Sequence, residues 1–193
     1  MDGFAKIAQE VHENAVAHGW WETPRDVHEI AALIHAEWSE ALEEYRAGRP
    51  DVWHKCAFNG GMCEHQDVHH NNGGCESCTA EMRKPEGIAV EMIDGCLRIL
   101  DYLGAIGYRF TAEELQNAKG RMEAQYGLMN VPFVVSTLHM YTSIARTNAA
   151  YWLDAMGLAF AFVGARGLDP SALLYEKHEY NKGRPYKHGG KVC

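Results

Sequence analysis

The sequence lacks a long apolar run, a secretion signal and an excess of positive charge. Its longest apolar run, residues 151–165, is too short to cross a bilayer and contains Asp154. The first ten residues hold no apolar core of a signal peptide. The net charge of −8 at pH 7 argues against a general attraction to nucleic acid or to anionic lipid. We therefore expect a cytoplasmic protein that binds neither membranes nor duplex nucleic acid.

Alternating strand patterns are also scarce, and helical spacing dominates the chain. Helical segments are predicted at about residues 4–18, 24–46, 86–106, 111–126, 132–146, 148–166 and 170–182, and we expect a bundle of five to seven helices. Thr111 followed by Glu114 is a capping-box pattern, and Asp169 followed by Pro170 is typical of a helix start. The expected fold is an all-α helical bundle in a single domain, 1–193, with residues 50–85 forming a Cys/His-rich insert between helices 2 and 3.

A weak internal repeat runs through these helices. At an offset of 104 residues, His35, Ser39 and Ala41 match His139, Ser143 and Ala145. At an offset of 60, Asp94, Gly104, Ala105 and Gly107 match Asp154, Gly164, Ala165 and Gly167, and the Thr111 helix matches the Ser171 helix. The pattern predicts two helical units related by a pseudo-two-fold arrangement, the first interrupted by the insert and the second degenerate.

Two acidic pairs stand on helices that are otherwise largely apolar. Glu37 and Glu40 are three residues apart on helix 2, and Glu91 and Asp94 are three apart on helix 3, so each pair shares a face. If the two helices pack as neighbours, the four carboxylates converge. Such hard oxygen ligands suit Mg²⁺ or Mn²⁺.

The same spacing also arises without any site, because Glu-x-x-acid recurs at Glu10, Glu40, Glu64 and Glu176. A single pair would therefore mean little, and the pairs could be structural. A ferritin-like di-iron centre is excluded, since it requires Glu-x-x-His and no glutamate here has a histidine three residues later.

The insert contains four cysteines, and we predict that they bind one structural Zn²⁺: Cys56, Cys63, Cys75 and Cys78. Two thiolates in Cys-x-x-Cys, as at 75–78, chelate one ion tetrahedrally, although the other half has the looser Cys-x₆-Cys spacing. The insert is too rich in Gly and Asn to build its own core, so a metal would supply the stability. A disordered cysteine-rich loop and disulfides are the alternatives.

Three segments together resemble the MazG-like branch of the all-α nucleoside triphosphate pyrophosphatases. They are EIAALIHAEWSEALEEYRAGRP, KPEGIAVEMIDGCLRILDYLGAIG and KHEYNKGRPYKHGGK, and the likeness covers most of the chain outside the insert and residues 111–131. The resemblance identifies Glu37, Glu40, Glu91 and Asp94 as the family's Mg²⁺ ligands. It implies cleavage of a nucleoside triphosphate to the monophosphate and pyrophosphate. The gap between the pairs is longer than is usual in the family, and the fused second unit is a further departure.

The second unit does not repeat the acidic pairs. Tyr141, Ile144 and Tyr151 stand where Glu37, Glu40 and Glu91 would fall, and only Asp154 is kept. One active site for the two units is therefore expected.

A basic tail supplies candidate substrate contacts. From Lys177 to Cys193 five basic residues face one acid, which gives the tail +4 and leaves the rest of the chain at −12. We expect phosphate contacts from Lys177, Lys182 and Arg184, and a polar contact to sugar or base from Asn181. The alternative is a solvated basic helix end that complements the macrodipole. Trp21 either stacks on the base or packs in the core.

A second function remains open from the sequence alone. The chain could be a helical interaction module whose zinc-containing insert binds a partner and whose acids are structural. The sequence is compatible with a homo-oligomer.

Overall fold

The computed structural model describes residues 3–55, 62, 84–127 and 129–187. Within these ranges the chain forms seven helices and one two-stranded sheet, so the expected all-α bundle is confirmed. In chain order the elements are α1 (Gly3–Ala17), α2 (Val27–Arg46), β1 (Trp53–Lys55), β2 (Lys84–Glu86), α3 (Ile88–Ala105), α4 (Ala112–Tyr126), α5 (Val131–Ala145), α6 (Ala150–Ala165) and α7 (Pro170–Lys182).

Local capping residues decide where several helices start. The Asp26 carboxylate accepts hydrogen bonds from the first backbone N–H groups of α2, so that helix begins at Val27 and not near residue 24. Thr111 and Glu114 form the expected reciprocal capping box of α4. Asp169 caps α7 in the way that Asp26 caps α2.

The core is built around α3 and α6, which are buried on almost every side. Helix α3 packs against α1, α2, α6 and α7, and α6 packs against α4, α5 and α3. This burial explains why both sequences are apolar nearly all round the helix. None of the helices in the described ranges combines the length and the hydropathy needed to cross a membrane.

The repeat is visible in the contact between α2 and α5. His35 and His139 stack with their Nδ1 atoms 2.6 Å apart, and Trp38 Nε1 donates to Thr142 Oγ1 at 2.9 Å. Both pairs have the offset of 104 residues, so equivalent residues of the two units meet each other. A local two-fold relation between α2 and α5 produces this kind of contact.

The helix contacts fit the predicted match of α4 with α7. Helix α4 packs on α6 and α7 packs on α3, so each of the two helices packs on the apolar helix of the other unit. The equivalent acids agree, because Asp154 pairs with Arg121 of α4 and Asp94 pairs with Lys177 of α7.

A short hairpin, absent from the sequence prediction, stands at the base of the insert. Lys55 pairs with Lys84 and Trp53 pairs with Glu86 in antiparallel register, so the insert leaves and re-enters the bundle at one place. Helix 3, predicted from about residue 86, begins at Ile88 because Lys84–Glu86 is a strand. Gly87 makes the turn between them with φ +117°, and a Cβ there would lie 2.7 Å from Asp51 O.

Candidate functional site

Three of the four predicted carboxylates converge at one point between α2 and α3. A carboxylate oxygen of each of Glu37, Glu40 and Glu91 lies within 4.8 Å of the other two. The i,i+3 spacing puts Glu37 and Glu40 on one face of α2, and the packing of α2 on α3 brings Glu91 to that face. Glu37 and Glu91 are buried, while Glu40 is exposed at the rim.

Asp94 lies one turn further along α3 and is engaged by a buried cation. Lys177 of α7 is 1% exposed, and its Nζ lies 2.8 Å from Asp94 Oδ2. The same Nζ donates to Pro85 O at 2.8 Å. Lys177 thus ties α7 to α3 and to the hairpin. Its ammonium group pairs with a carboxylate beside the acidic cluster, and the phosphate contact expected of Lys177 stays a prediction.

Glu37 has a cationic partner of its own. Arg98 Nε donates to Glu37 Oε1 at 2.8 Å. Burial raises the pKa of Glu37, and the attraction of Arg98 opposes that rise. Arg98 stands on the same face of α3 as Glu91 and Asp94, so its charge is part of the acidic cluster.

Glu91 is the most strongly perturbed acid of the cluster. Its side chain is 2% exposed, and burial, followed by the nearby Asp94 charge, raises its pKa to about 10. Glu91 also forms a hydrogen bond with Glu86. Burial raises the pKa of Glu86, but its hydrogen bonds with Glu91 and Lys84 have the larger combined effect, so the pKa of Glu86 is lowered. A nearby cation stabilises the charged form of a buried carboxyl that has acidic neighbours.

These residues fit a hard divalent cation. Three carboxylates offering one oxygen each, with Asp94 adjacent, form the oxygen-only donor set that Mg²⁺ and Mn²⁺ prefer. Glu37, Glu40 and Glu91 are the residues that would hold the ion.

The acidic cluster opens into a cleft of about 180 Å³. One face of α3 forms its floor, through Glu91, Asp94, Leu97, Arg98 and Asp101. At about 1.5 Å of rise per residue, the stretch from Glu91 to Asp101 spans roughly 15 Å of the helix. Helices α1 and α7 contribute the walls, and Lys84 stands at the edge of the cluster.

Two of the predicted substrate residues line this cleft, namely Asn181 and Arg184. Arg184 is held there because its backbone carbonyl accepts a hydrogen bond from His18 Nε2 at 2.9 Å. Beyond it, Tyr186 and Lys187 contact Glu22, so the tail follows the end of α1. Lys182 is exposed on α7 and pairs with Glu179 instead of lining the cleft.

Trp21 lies behind the cleft wall. Its Nε1 donates to Asp101 Oδ1 at 2.8 Å, and its ring meets His12 edge-on. Trp20, the preceding residue, lines the cleft. Burial raises the pKa of Asp101, against the effect of its hydrogen bonds with His12 and Trp21.

Four ionisable residues line the cleft in addition to those expected from the sequence: Lys84, Arg98, Asp101 and His178. Arg98 and Asp101 belong to the polar stripe of α3 that contains Glu91 and Asp94, so their spacing was a usable indication. Lys84 reaches the site through the hairpin and His178 through the docking of α7, and neither position follows from local spacing. The predicted zinc ligands Cys56, Cys63, Cys75 and Cys78 lie outside the described residues.

The corresponding place in the second unit holds tyrosines and one ion pair in place of the acidic cluster. The rings of Tyr141 and Tyr151 lie 6.4 Å apart, centre to centre, and Tyr141 OH is 3.2 Å from Tyr126 OH. Asp154 pairs with Arg121 at 2.7 Å. Equivalent helix faces therefore converge in both units, but only the first unit carries a carboxylate cluster among the described residues.

Comparisons of the chain with protein-family models, with curated proteins and with solved structures found no match.

Proposed function

We propose that the protein is a Mg²⁺- or Mn²⁺-dependent nucleoside triphosphate pyrophosphohydrolase that releases a nucleoside monophosphate and pyrophosphate. The observation that carries the proposal is the convergence of Glu37, Glu40 and Glu91 at the end of a cleft that also contains Arg98 and Arg184. Phosphoryl chemistry needs both a site for a hard cation and cationic side chains for the phosphate oxygens, and the cleft combines them.

Different residues of the chain would bind the metal, bind the phosphates and hold α7 in place. Glu37, Glu40 and Glu91 bind the divalent ion, which when bound supplies positive charge to the triphosphate and activates water. Arg98, fixed by Glu37, and Arg184, fixed through its backbone, present guanidinium groups that hold phosphate oxygens in a defined orientation. The pairing of Lys177 with Asp94 keeps α7, and with it Arg184, against α3.

A nucleotide panel with added Mg²⁺ or Mn²⁺ tests the activity. We expect pyrophosphate and monophosphate in equal amounts, with no release of inorganic phosphate from the terminal position. If the wild-type protein releases pyrophosphate from no nucleotide with either ion, the enzyme proposal fails and the non-catalytic interaction module is favoured.

A matched pair of variants on α2 tests the carboxylates. Glu40 and Glu43 are both exposed and three residues apart, but only Glu40 belongs to the cluster. Because changes to outer partners of a metal already cost about 10–100-fold, we expect Glu40→Gln to lose at least that much activity. Glu43→Gln, which changes only a pair with Arg46, should keep the wild-type rate.

Glu91→Gln extends the test to a buried ligand. It should abolish turnover and leave the helical circular dichroism unchanged, since Gln has the shape of the protonated acid. Full activity in Glu91→Gln at any Mg²⁺ concentration would contradict the assignment of the site.

A further inference from the structure

Two polar atoms of α7 are buried in the cleft without a hydrogen-bond partner among the described residues. They are His178 Nε2 and Asn181 Oδ1, and both residues line the cleft. His178 is 2% exposed. The two residues are three apart on the helix, so they share the face that α7 turns to the cleft.

Such atoms are rare in folded proteins, because a buried polar atom without a partner has lost its water and gained nothing in return. Burial also lowers the pKa of His178, so its imidazole is neutral and offers one N–H donor and one acceptor nitrogen. Asn181 Oδ1 is an acceptor. A bound molecule with hydrogen-bonding groups would satisfy both atoms.

The cleft also offers apolar contacts. Val11 and Ala15 of α1, Leu97 of α3 and the ring of Trp20 line it, while most of its surface is polar. The carboxylates and guanidinium groups suit metal and phosphates. The uncharged His178 Nε2 and Asn181 Oδ1, together with these apolar side chains, suit the nucleoside part of the same substrate.

We propose that His178 is a specificity-determining residue that hydrogen-bonds the nucleoside through Nε2, beside Asn181. This inference rests on the proposed function for the identity of the substrate. The group recognised is an O–H or N–H of the nucleoside, supplied either by a sugar hydroxyl or by the edge of the base. His178 is not part of the phosphate or metal site.

His178→Phe removes the ring nitrogens and approximately keeps the ring volume. The nucleoside group then enters a buried place without a partner, which should lower kcat/KM for the best nucleotide about 10- to 100-fold. His178→Gln, whose amide reaches about as far as Nε2, should recover part of that loss. Tyr175→Phe, on the exposed side of α7, is the control and should match wild type.

Inhibition by inorganic tripolyphosphate tests the phosphate site without the nucleoside site. This compound carries the phosphate charges without a nucleoside, so its inhibition constant should be the same in wild type and in His178→Phe. Equal weakening of tripolyphosphate and of nucleotide would overturn the proposal, since His178 would then act on the phosphate site or on the fold. Unchanged nucleotide kinetics in His178→Phe would overturn it as well.

Substrate analogues identify the recognised group. If it is a sugar hydroxyl, a 2′,3′-dideoxy triphosphate should lose the same factor with wild type, and His178→Phe should add no further loss. If it is the base edge, the kcat/KM ratios between bases should flatten in His178→Phe while the dideoxy effect persists.

Calorimetry with nucleoside monophosphates distinguishes this inference from the proposed activity. If the wild-type protein cleaves no nucleotide, and monophosphate binding is weaker in His178→Phe than in wild type, the pyrophosphohydrolase is refuted and the subsite is supported. Cleavage with binding that does not depend on His178 would refute the subsite and support the enzyme.

Discussion

Lys177→Met removes the charge of a buried lysine and keeps most of its length. In the wild type, Lys177 Nζ is bonded both to Asp94 Oδ2 and to Pro85 O, each at 2.8 Å. The variant leaves the carboxylate and the carbonyl without this donor. It also cuts a connection from α7 to α3 and the hairpin, both of which lie far from α7 in sequence.

The magnitude follows from the burial of the two partners. Removing one member of a buried ion pair costs about 3–5 kcal/mol, because the other charge is left uncompensated. Asp94 is 16% exposed toward the cleft and keeps some water, so we expect the lower end, about 3 kcal/mol. For a chain of this length each kcal/mol shifts Tm by about 2–4 °C, which predicts a fall of roughly 6–12 °C.

Denaturation followed by circular dichroism measures the effect. Lys182→Met is the control, because its pair with Glu179 on the same helix is exposed and should contribute less than about 1 kcal/mol. Adding Asp94→Asn to Lys177→Met should restore part of the lost stability by removing the stranded charge. If Lys177→Met unfolds within about 1 kcal/mol of wild type, the buried-pair argument is refuted and Lys177 becomes available for a phosphate.

Three further predictions concern the insert, the interface between the two units and the tail. Protein purified without chelator should contain about one zinc per chain, whereas a metal-free protein with four freely titrating insert thiols would contradict the tetrahedral site. Burial lowers the pKa of both His35 and His139 below the ordinary 6.5, so the unfolded chain binds more protons and stability should fall as pH drops below 6.5. Denaturation at pH 7 and pH 5 should show a smaller fall in His35→Gln/His139→Gln, and an equal fall would refute the link. Arg184→Ala should cost about 1.5–3 kcal/mol in kcat/KM through a lost charge-assisted hydrogen bond, while Lys182→Ala should leave it unchanged; equal effects of the two variants would contradict the placement of the tail.

The helices could be predicted because their determinants are local. The capping box at Thr111 and Glu114 and the cap at Asp169 act within one turn, so a reading of neighbouring residues finds them. The start of α2 was misplaced by a few residues because Asp26, the actual cap, was not recognised. The first N–H groups of a helix have no partner within the helix, and a side chain that accepts from them marks its start. Asp26 is that residue in α2.

The hairpin could not be predicted in the same way. Its strands have only three residues each, and β2 consists of Lys84, Pro85 and Glu86, residue types that are depleted in strands. Its pairing spans the whole insert, so no local pattern encodes it. The consequence for the site is direct, since the hairpin brings Lys84 to the acidic cluster.

The candidate site likewise has a part that local spacing predicts and a part that depends on how distant helices pack. The convergence of Glu37, Glu40 and Glu91 follows from spacing on two helices that pack as neighbours. The position of Lys177 depends instead on how α7 docks on α3, and a basic residue near a helix end gives no indication of burial. The burial of this lysine therefore could not be predicted from the composition of the tail.

The second unit lacks three of the four acids and the arginine that pairs with Glu37, and it keeps only Asp154, which pairs with Arg121. At the offset of 60 residues, Arg98 corresponds to Leu158 and Asp101 to Ala161, both apolar and buried. A fold that merely needed a polar seam at this helix contact would keep it in both units. Burying like charges together costs stability. Among the described residues, the acidic cluster stands only in the unit whose cleft also holds Arg184. Such a cost, confined to one of two similar units, is expected where the residues serve a function and not the fold.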